Sequence, residues 1–274
     1  MFLILGESGN LSRAIQKVLS NSETMVLNRA EITSWIEEDG VDAISNFISN
    51  LRELPEGVFN AAGIIDPAKS TLDLNRVNFQ LPRNLLEATN HLEIPLYTFG
   101  SIMERDETCR VSNNYLYSKR KFKSYIDSLG KAKKGFHLHF LVHTWYGVEK
   151  IPEHMFLGQI VKSLIEKKTF SMSSGTQMRE YHHIEDDIKV VLDLVKNKHY
   201  GVIEINHGTP IELRNLAIAI YSHFDCMQLL SIDASINQDD ESRTSFYQGA
   251  VINSKYHFRD QKAGVVQYIK ELMQ

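Results

Sequence analysis

The sequence predicts an α/β fold: a doubly wound parallel sheet with a smaller C-terminal lobe. Two observations predict it. Short apolar segments alternate with segments whose apolar residues recur every three or four positions, which is the pattern of strands followed by amphipathic helices. A glycine-containing turn also directly follows the first apolar segment. Parallel strands need crossover connections, and right-handed crossovers favour the doubly wound arrangement.

The elements follow in order along the first half of the chain. Strands are predicted at residues 2–5, 24–27, 57–60, 95–99 and 136–142, and helices at 11–19, 74–90 and 114–129. A helix at 184–196 and a strand at 201–205 continue the alternation, whereas residues 148–180 are less regular. We therefore predict one Rossmann domain from residues 1–147 with about 184–205, and a second lobe from about 148–183 with 206–274.

Composition excludes several classes of function. The 274 residues are 43% hydrophobic and 23% charged, as in ordinary globular proteins, and the net charge of −4 favours neither nucleic acid nor an anionic membrane. No apolar stretch approaches the roughly 20 residues that span a bilayer. Cys109 and Cys226 are far apart and fit no metal or redox motif. These features predict a cytoplasmic protein with reduced thiols, which binds neither nucleic acid nor membrane.

The turn after the first strand is a candidate phosphate site. Glycines let the chain turn tightly and approach a pyrophosphate, and the following helix offers free N–H groups. The candidate cofactor-binding residues here are Gly6, Ser8, Gly9, Asn10 and Leu11. The spacing is GxxGxxS, with Ser12 where the dinucleotide fingerprint has its third glycine.

The end of the second strand bears on the choice of cofactor. An acidic residue at this point suits the free ribose 2′-OH of NAD, whereas an arginine suits the 2′-phosphate of NADP. Here the sequence reads Leu27-Asn28-Arg29. Arg29 therefore favours NADP(H), with NAD(H) kept as the alternative.

A tyrosine and a lysine four residues apart share one face of the helix predicted at 114–129. A nearby ammonium favours phenolate, which suits a general acid/base, and Tyr115 with Lys119 has this spacing. Tyr117 with Lys121 has it too. We favour Tyr115 because Ser118-Lys119 then completes the pattern YxxSK.

Taken in order, the motifs resemble a known family, the extended short-chain dehydrogenase/reductases, also called the NAD-dependent epimerase/dehydratase family. The matching segments are the glycine turn, Asn60-Ala61-Ala62-Gly63, Val77-Asn78, Asn84-Leu85-Leu86-Glu87-Ala88, Ser101, YxxSK, Tyr146-Gly147, the run from Arg179 to Asp186, and Ile252-Asn253-Ser254-Lys255. Within the family, the sequence is most similar to dTDP-4-dehydrorhamnose reductases and related sugar-nucleotide reductases.

The resemblance implies roles for individual residues. Tyr115 would be the acid/base, Lys119 would hold the nicotinamide ribose and lower the pKa of Tyr115, and Ser101 would hydrogen-bond the reacting oxygen. Asn60, Ala61, Ala62 and Gly63 would line the cofactor, and Asn78 would support the site. Arg179 and Arg243 would bind the diphosphate of a nucleotide-sugar substrate in the C-terminal lobe. Family members often form homodimers, which we expect here.

The type of reaction is narrowed by the residues after Ser101. Dehydratases of the family have an Asp-Glu pair there, but this chain has Ile102-Met103 and no carboxylate before Glu104. Epimerase/reductases have a cysteine near the position of Met103. We therefore favour reduction of a 4-keto sugar by NADPH. The alternatives are a nucleotide-sugar 4-epimerase with bound NAD and a non-catalytic NAD(P)-binding regulatory protein of the same fold. His182 and His183 lack a third ligand at metal spacing, so we expect no metal site.

Overall fold

The chain divides into two compact units. A computed structural model describes residues 1–19, 24–105, 113–129, 135–233 and 255–274. One unit comprises residues 1–142 and 191–204, and the other 143–190 and 205–274. The sequence pattern predicts these boundaries a few residues away, at 147, about 184 and 205. Arg243, Cys109 and residues 252–254 lie outside the described residues.

Strands and helices alternate through the first unit and are shorter and less regular in the second. The strands are β1 Phe2–Leu5, β2 Thr24–Leu27, β3 Gly57–Asn60, β4 Leu96–Ser101, β5 His137–Val142, β6 Thr144–Tyr146, β7 Phe170–Met172, β8 Met178–Arg179, β9 Tyr181–His183, β10 Gly201–Glu204, β11 Ile211–Glu212 and β12 Leu230–Ile232. The α-helices are α1 Asn10–Val18, α2 Gly40–Ser49, α3 Thr71–Asn75, α4 Leu81–His91, α5 Asn114–Ser128, α6 Phe156–Glu166, α7 Ile184–Lys196, α8 Leu213–His223 and α9 Gln261–Leu272. Within the described ranges, no helix is both long and apolar enough to cross a membrane.

The first unit is built on a six-stranded sheet in the order β2-β1-β3-β4-β5-β10, with every pair parallel. The chain leaves β1 toward β2 on one side and returns to β3 on the other. Ligands of such sheets bind at the carboxyl ends of the strands where the order reverses. The predicted doubly wound α/β fold is confirmed, and its switch point lies between β1 and β3.

The region after β2 holds a turn and a helix that the sequence reading left unassigned. Thr33–Ile36 forms a 3₁₀ turn with Trp35 buried, and α2 follows. Asn84 of α4 fixes this turn, because its buried Nδ2 donates to the carbonyls of Trp35 and Glu37 (2.9 Å each). A Cβ at Gly40 would lie 2.4 Å from the same Nδ2. The side chain of Asn84 therefore satisfies two backbone carbonyls of this turn.

The helix predicted at 74–90 has a change of winding inside it. Residues 71–91 are helical throughout, but Arg76–Gln80 is π-helical between α3 and α4. Such segments often accompany functional sites. Asn78, the buried polar residue of this segment, projects from it.

The second unit packs α6, α8 and α9 around its own core. In its described residues, the strands form three two-stranded sheets, β6-β9, β7-β12 and β8-β11. Ile160, Leu216, Ile220 and Ile269 are fully buried together. Burial of an aliphatic side chain of this size contributes about 1.5–3 kcal/mol.

Candidate active site

The glycine turn lies where β1 ends, at the switch point of the sheet. Gly6 has a φ of +97°, its N–H donates to the carbonyl of Leu27 (3.0 Å), and the N–H of Gly9 returns to the Gly6 carbonyl (2.9 Å). A Cβ on Gly6 would lie 3.0 Å from the backbone of Ala62. The ends of β1 and β3 therefore approach each other closely at two of the predicted cofactor residues, and only glycine fits comfortably there.

Helix α1 begins directly after the turn and presents an open N-terminus. Its N-cap is Gly9, which has no side chain to satisfy the first N–H groups. Such groups bind phosphate well. Ser12 is fully buried, and its Oγ accepts a hydrogen bond from Gln16 (3.1 Å). Ser12, which replaces the third glycine, is therefore buried inside the first unit and does not disrupt the glycine turn.

Arg29 is exposed at the end of β2, and its side chain has no ion pair among the described residues. Asn28 shapes this end of the strand by accepting from the N–H groups of Ala30 (2.8 Å) and Glu31 (3.2 Å). The Glu31 carboxylate in turn accepts from the N–H of Asn28 (2.7 Å). Sequence reasoning missed Glu31, whose position three residues after Asn28 is the signal that could have found it.

At the end of β3, Asn60 is buried and its Oδ1 has no hydrogen-bond partner among the described residues. A cavity of about 10 Å³ adjoins it, room for about one water. Ala62 and Gly63 continue the chain past it, and a Cβ on Gly63 would have no described atom closer than 3.6 Å. The glycine turn, the helix N-terminus without a side-chain cap and the unpartnered amide oxygen of Asn60 all fit a bound dinucleotide.

Asn78 ties the loop after β3 to α5. Its amide exchanges two hydrogen bonds with the backbone of Ile64 (2.9 and 3.0 Å), and its Nδ2 also donates to Ser118 Oγ (3.1 Å). Ser118 Oγ donates to the carbonyl of Tyr115 (2.7 Å). The residue thus supports the segment that carries the tyrosine and lysine.

Tyr115 and Lys119 are half-buried on α5, and Lys119 Nζ donates to the carbonyl of Phe99 on β4 (2.8 Å). Asn113 caps the helix by accepting from the N–H of Leu116 (3.1 Å). The alternative pair points elsewhere, because Tyr117 is 45% exposed and Lys121 Nζ lies over the ring of Phe79 (4.5 Å). The geometry therefore favours Tyr115 with Lys119.

The pKa of Tyr115 is shifted in the direction opposite to that expected. Burial raises it, and the negative charge of Glu104 raises it further. Burial also lowers the pKa of Lys119, and Glu104 opposes that change. The expectation that Lys119 lowers the pKa of Tyr115 is not met in the protein alone, because burial and Glu104 both raise it.

Ser101 ends β4, and its Oγ accepts from the N–H of Met103 (3.3 Å). Its own N–H donates to Glu104 Oε1 (2.8 Å). Glu104 is 5% exposed and is a second residue that sequence reasoning missed as part of the site. Its distance of three residues from Ser101, inside one helical turn, was the available signal.

Arg179 lies in the second unit on β8, half-buried, with Nη1 donating to the carbonyl of Met178 (2.7 Å). Arg243 is not among the described residues. A third ligand does join His182, since Glu180, His182 and His207 lie together. However, both ring nitrogens of His182 are already bonded, Nδ1 to Asp187 (2.7 Å) and Nε2 to Glu180 (2.9 Å).

This arrangement is that of an imidazolium between two buried carboxylates. Burial alone would lower the pKa of His182, but Asp187 and Glu180 outweigh it and raise the pKa to about 9. Burial acts to raise the pKa of Glu180, but His182 and neighbouring histidines outweigh it and lower this pKa to about 2. With both nitrogens donating, His182 has no lone pair for a metal.

Comparison with known proteins decides the family. The model of the NAD dependent epimerase/dehydratase family matches residues 2–206. The chain belongs to this family. The resemblance drawn from the motifs is therefore confirmed, and the glycine turn, Ser101, Tyr115 and Lys119 all fall within the matched range of the epimerase/dehydratase model.

Solved structures of the epimerase/dehydratase type share the fold over the whole chain. A dTDP-4-dehydrorhamnose reductase from Clostridium acetobutylicum superposes with a TM-score of 0.74 at 16% identity, covering 100% of this chain and 99% of that one. The dTDP-4-dehydrorhamnose reductase of Bacillus anthracis, solved with NADP, gives 0.74 at 13% identity and 98% of both chains. A UDP-N-acetylglucosamine 4-epimerase from Bacillus cereus gives 0.73 at 15%, covering 99% and 96%. Among curated proteins none matches the sequence significantly.

Proposed function

We propose that this family member is an NADP(H)-preferring reductase that reduces the 4-keto group of a nucleotide-diphosphate sugar. The observation that supports it best is the convergence around Glu104. This carboxylate accepts the Ser101 N–H, and its charge acts on both Tyr115 and Lys119. A ketone reduction needs those three side chains and no further acid or base.

Each residue has a defined part in the proposed reaction. A bound nicotinamide would supply the hydride that reduces the carbonyl carbon. Tyr115 donates its hydroxyl proton to the carbonyl oxygen, for which a phenol with a raised pKa is held in the right protonation state. Ser101 Oγ accepts from Met103, which leaves its own hydrogen to donate to the same oxygen. Lys119 holds the nicotinamide ribose.

The binding assignments extend to both ends of the substrate and cofactor. The phosphates of the cofactor are held by the turn of Gly6, Ser8 and Gly9 with the N-terminus of α1, and Arg29 binds the 2′-phosphate. The solved B. anthracis reductase holds NADP, which supports this preference. Arg179 binds the diphosphate of the sugar nucleotide, for which a guanidinium fork is suited. The working assembly is a homodimer.

The test is oxidation of NADPH by a panel of 4-keto sugar nucleotides on dTDP, UDP and GDP. Tyr115→Phe should lower kcat by about 100-fold or more while NADPH still binds. Tyr117→Phe, an exposed tyrosine on the same helix, is the matched control and should keep full activity. Turnover that survives Tyr115→Phe would remove that assignment.

The alternatives give different results. An epimerase would purify with tightly bound NAD and interconvert 4-hydroxyl epimers with no net oxidation of NADPH. A regulatory protein would bind NADPH and turn over nothing.

A further inference from the structure

Four nearly fully buried polar side chains form a chain of hydrogen bonds along β4 and β5. Thr98, His137 and His139 are each 2% exposed. Thr98 Oγ1 bonds His137 Nε2 (2.8 Å) and His139 Nδ1 (2.7 Å), and His139 Nε2 reaches Glu104 Oε2 (3.2 Å). The other oxygen of Glu104 accepts the N–H of Ser101. This chain of hydrogen bonds therefore ends on the backbone N–H of Ser101, a predicted catalytic residue.

This chain of hydrogen bonds holds Glu104 as a carboxylate. Burial opposes ionisation of Glu104, but His139, Lys119 and the Ser101 N–H outweigh it and lower its pKa. His139 Nε2 therefore carries the hydrogen that is donated to the carboxylate. Thr98 Oγ1 bonds the other ring nitrogen, Nδ1, and also His137 Nε2, which fixes the orientation of the His139 ring.

Gly100 shows how closely His139 and Glu104 pack against β4. A Cβ there would lie 2.5 Å from His139 Nε2 and 2.6 Å from Glu104 Oε1. The backbone of β4 is therefore in contact with both groups, and any side chain at residue 100 would separate them.

The pair also adjoins the residues proposed to act in reduction. His139 and Lys119 line the same small cavity beside Asn60. The charge of Glu104 acts on Lys119 and Tyr115, the two titratable groups of α5 in the site. The other nearby charges are engaged elsewhere: Arg105 pairs with Glu204, and Arg120 donates to the Met103 carbonyl (3.4 Å).

We propose that Glu104, oriented by His139, is a positioning residue that holds Ser101 through its N–H and keeps a fixed negative charge beside Tyr115 and Lys119. Its consequence for turnover rests on the proposed reductase function. The charge favours the ammonium form of Lys119 and the phenol form of Tyr115, and a reduction begins with both groups protonated.

Glu104→Gln tests this with the fold retained. The amide oxygen still accepts from the Ser101 N–H, and the NH₂ can donate to His139 Nε2 when that nitrogen carries no hydrogen. Removing the charge should lower the pKa of Lys119 by about one pH unit. This is measured by NMR of lysines labelled at Cε, with Lys119→Met to assign the signal, and it requires no turnover.

In the kinetic test, the alkaline limb of kcat for NADPH-dependent reduction should move to lower pH by a similar amount in Glu104→Gln, with the KM for NADPH within about twofold of wild type. Thr98→Val, which removes the hydroxyl that orients His139, should move the limb in the same direction by less. The matched control is Glu87→Gln, which removes a carboxylate bonded to a different tyrosine, Tyr125 (2.9 Å), and should leave the profile unchanged.

The outcomes separate the two proposals. An unchanged Lys119 titration in Glu104→Gln would overturn the role of Glu104, whether or not the protein turns over a sugar nucleotide. A shifted titration with no turnover on any nucleotide sugar would keep that role and reject the proposed function. A purely structural role for Glu104 would lower the melting temperature without moving either pH midpoint.

Discussion

The ammonium of Lys119 donates a hydrogen bond to the carbonyl of Phe99 (2.8 Å), which ties α5 to the end of β4. This bond holds the amine at the carboxyl edge of the sheet, where β1 and β3 also end in predicted cofactor residues. On the same helix, burial and the charge of Glu104 raise the pKa of Tyr115.

Lys119→Met should lower kcat/KM for NADPH by about 100-fold or more, because the site loses both the ribose contact and the tie to β4. The measurement is NADPH oxidation with binding followed by cofactor fluorescence. Lys121→Met on the same helix removes a lysine that lies over Phe79 and should keep near-wild-type activity. Equal losses in the two variants would contradict the choice of the Tyr115–Lys119 pair.

Gly6→Ala should destabilise the protein and abolish tight NADPH binding, because a Cβ there combines a strained φ with a 3.0 Å contact to Ala62. Gly201→Ala is the matched control. Gly201 has a similar φ of +100°, but no described atom lies within 4 Å of its added Cβ. Both variants should lose about 1–2 kcal/mol to backbone strain by urea unfolding, and only Gly6→Ala should lose the cofactor. Normal binding by Gly6→Ala would be inconsistent with a phosphate site at this turn.

Arg29→Ala should shift the ratio of Kd values for NADPH and NADH by about tenfold toward NADH, which corresponds to about 1.4 kcal/mol. The loss of a charge-assisted bond to the 2′-phosphate is the reason. Arg76→Ala, which breaks only a surface ion pair with Glu37, should leave the ratio unchanged. A ratio unaffected by Arg29→Ala would show that this arginine does not select the cofactor.

His182 should make the protein less stable at alkaline pH. Its pKa is raised in the folded state from 6.5 to about 9, so its contribution is complete below pH 6.5 and is lost as the pH rises through about 9. The full effect is about 3 kcal/mol. Urea unfolding of wild type at pH 6.5, 8 and 9.5 measures it.

His182→Gln leaves Glu180 and Asp187 buried without their cation and should cost about 3–5 kcal/mol at neutral pH. The remaining dependence on pH between 6.5 and 9 should then be much weaker. The exposed His154→Gln should retain the slope of wild type. A wild-type slope in His182→Gln would assign the alkaline loss to another group.

Much of the first unit could be read from local patterns. The strands at residues 2–5, 24–27 and 57–60 match β1, β2 and β3, because each is a short apolar run ended by turn residues. Helix α2 was missed although Ile44 and Ile48 have helical spacing, since the turn before it has no such pattern. The π-helical segment Arg76–Gln80 could not be predicted, because no repeating pattern in the sequence marks it.

The contacts that define the site were harder to foresee because they join distant residues. Glu104 meets His139 across 35 positions, and His207 approaches Glu180 across 27. No sequence motif marks either pairing, because each depends on which segments become neighbours in the fold. Tyr115 and Lys119 could be found because one helix carries both. The direction of the tyrosine pKa could not, because it depends on burial and on Glu104.

Gly100 constrains how this sequence can change. A Cβ on this residue would lie within 2.6 Å of both His139 and Glu104, so the three residues constrain one another. A relative that carries a side chain at the position of Gly100 cannot also keep the imidazole and the carboxylate where they lie here. Loss of the histidine alone would not free the position, because Glu104 Oε1 would still lie 2.6 Å from the added Cβ. A side chain at residue 100 is therefore expected only where the imidazole and the carboxylate have both been displaced or replaced.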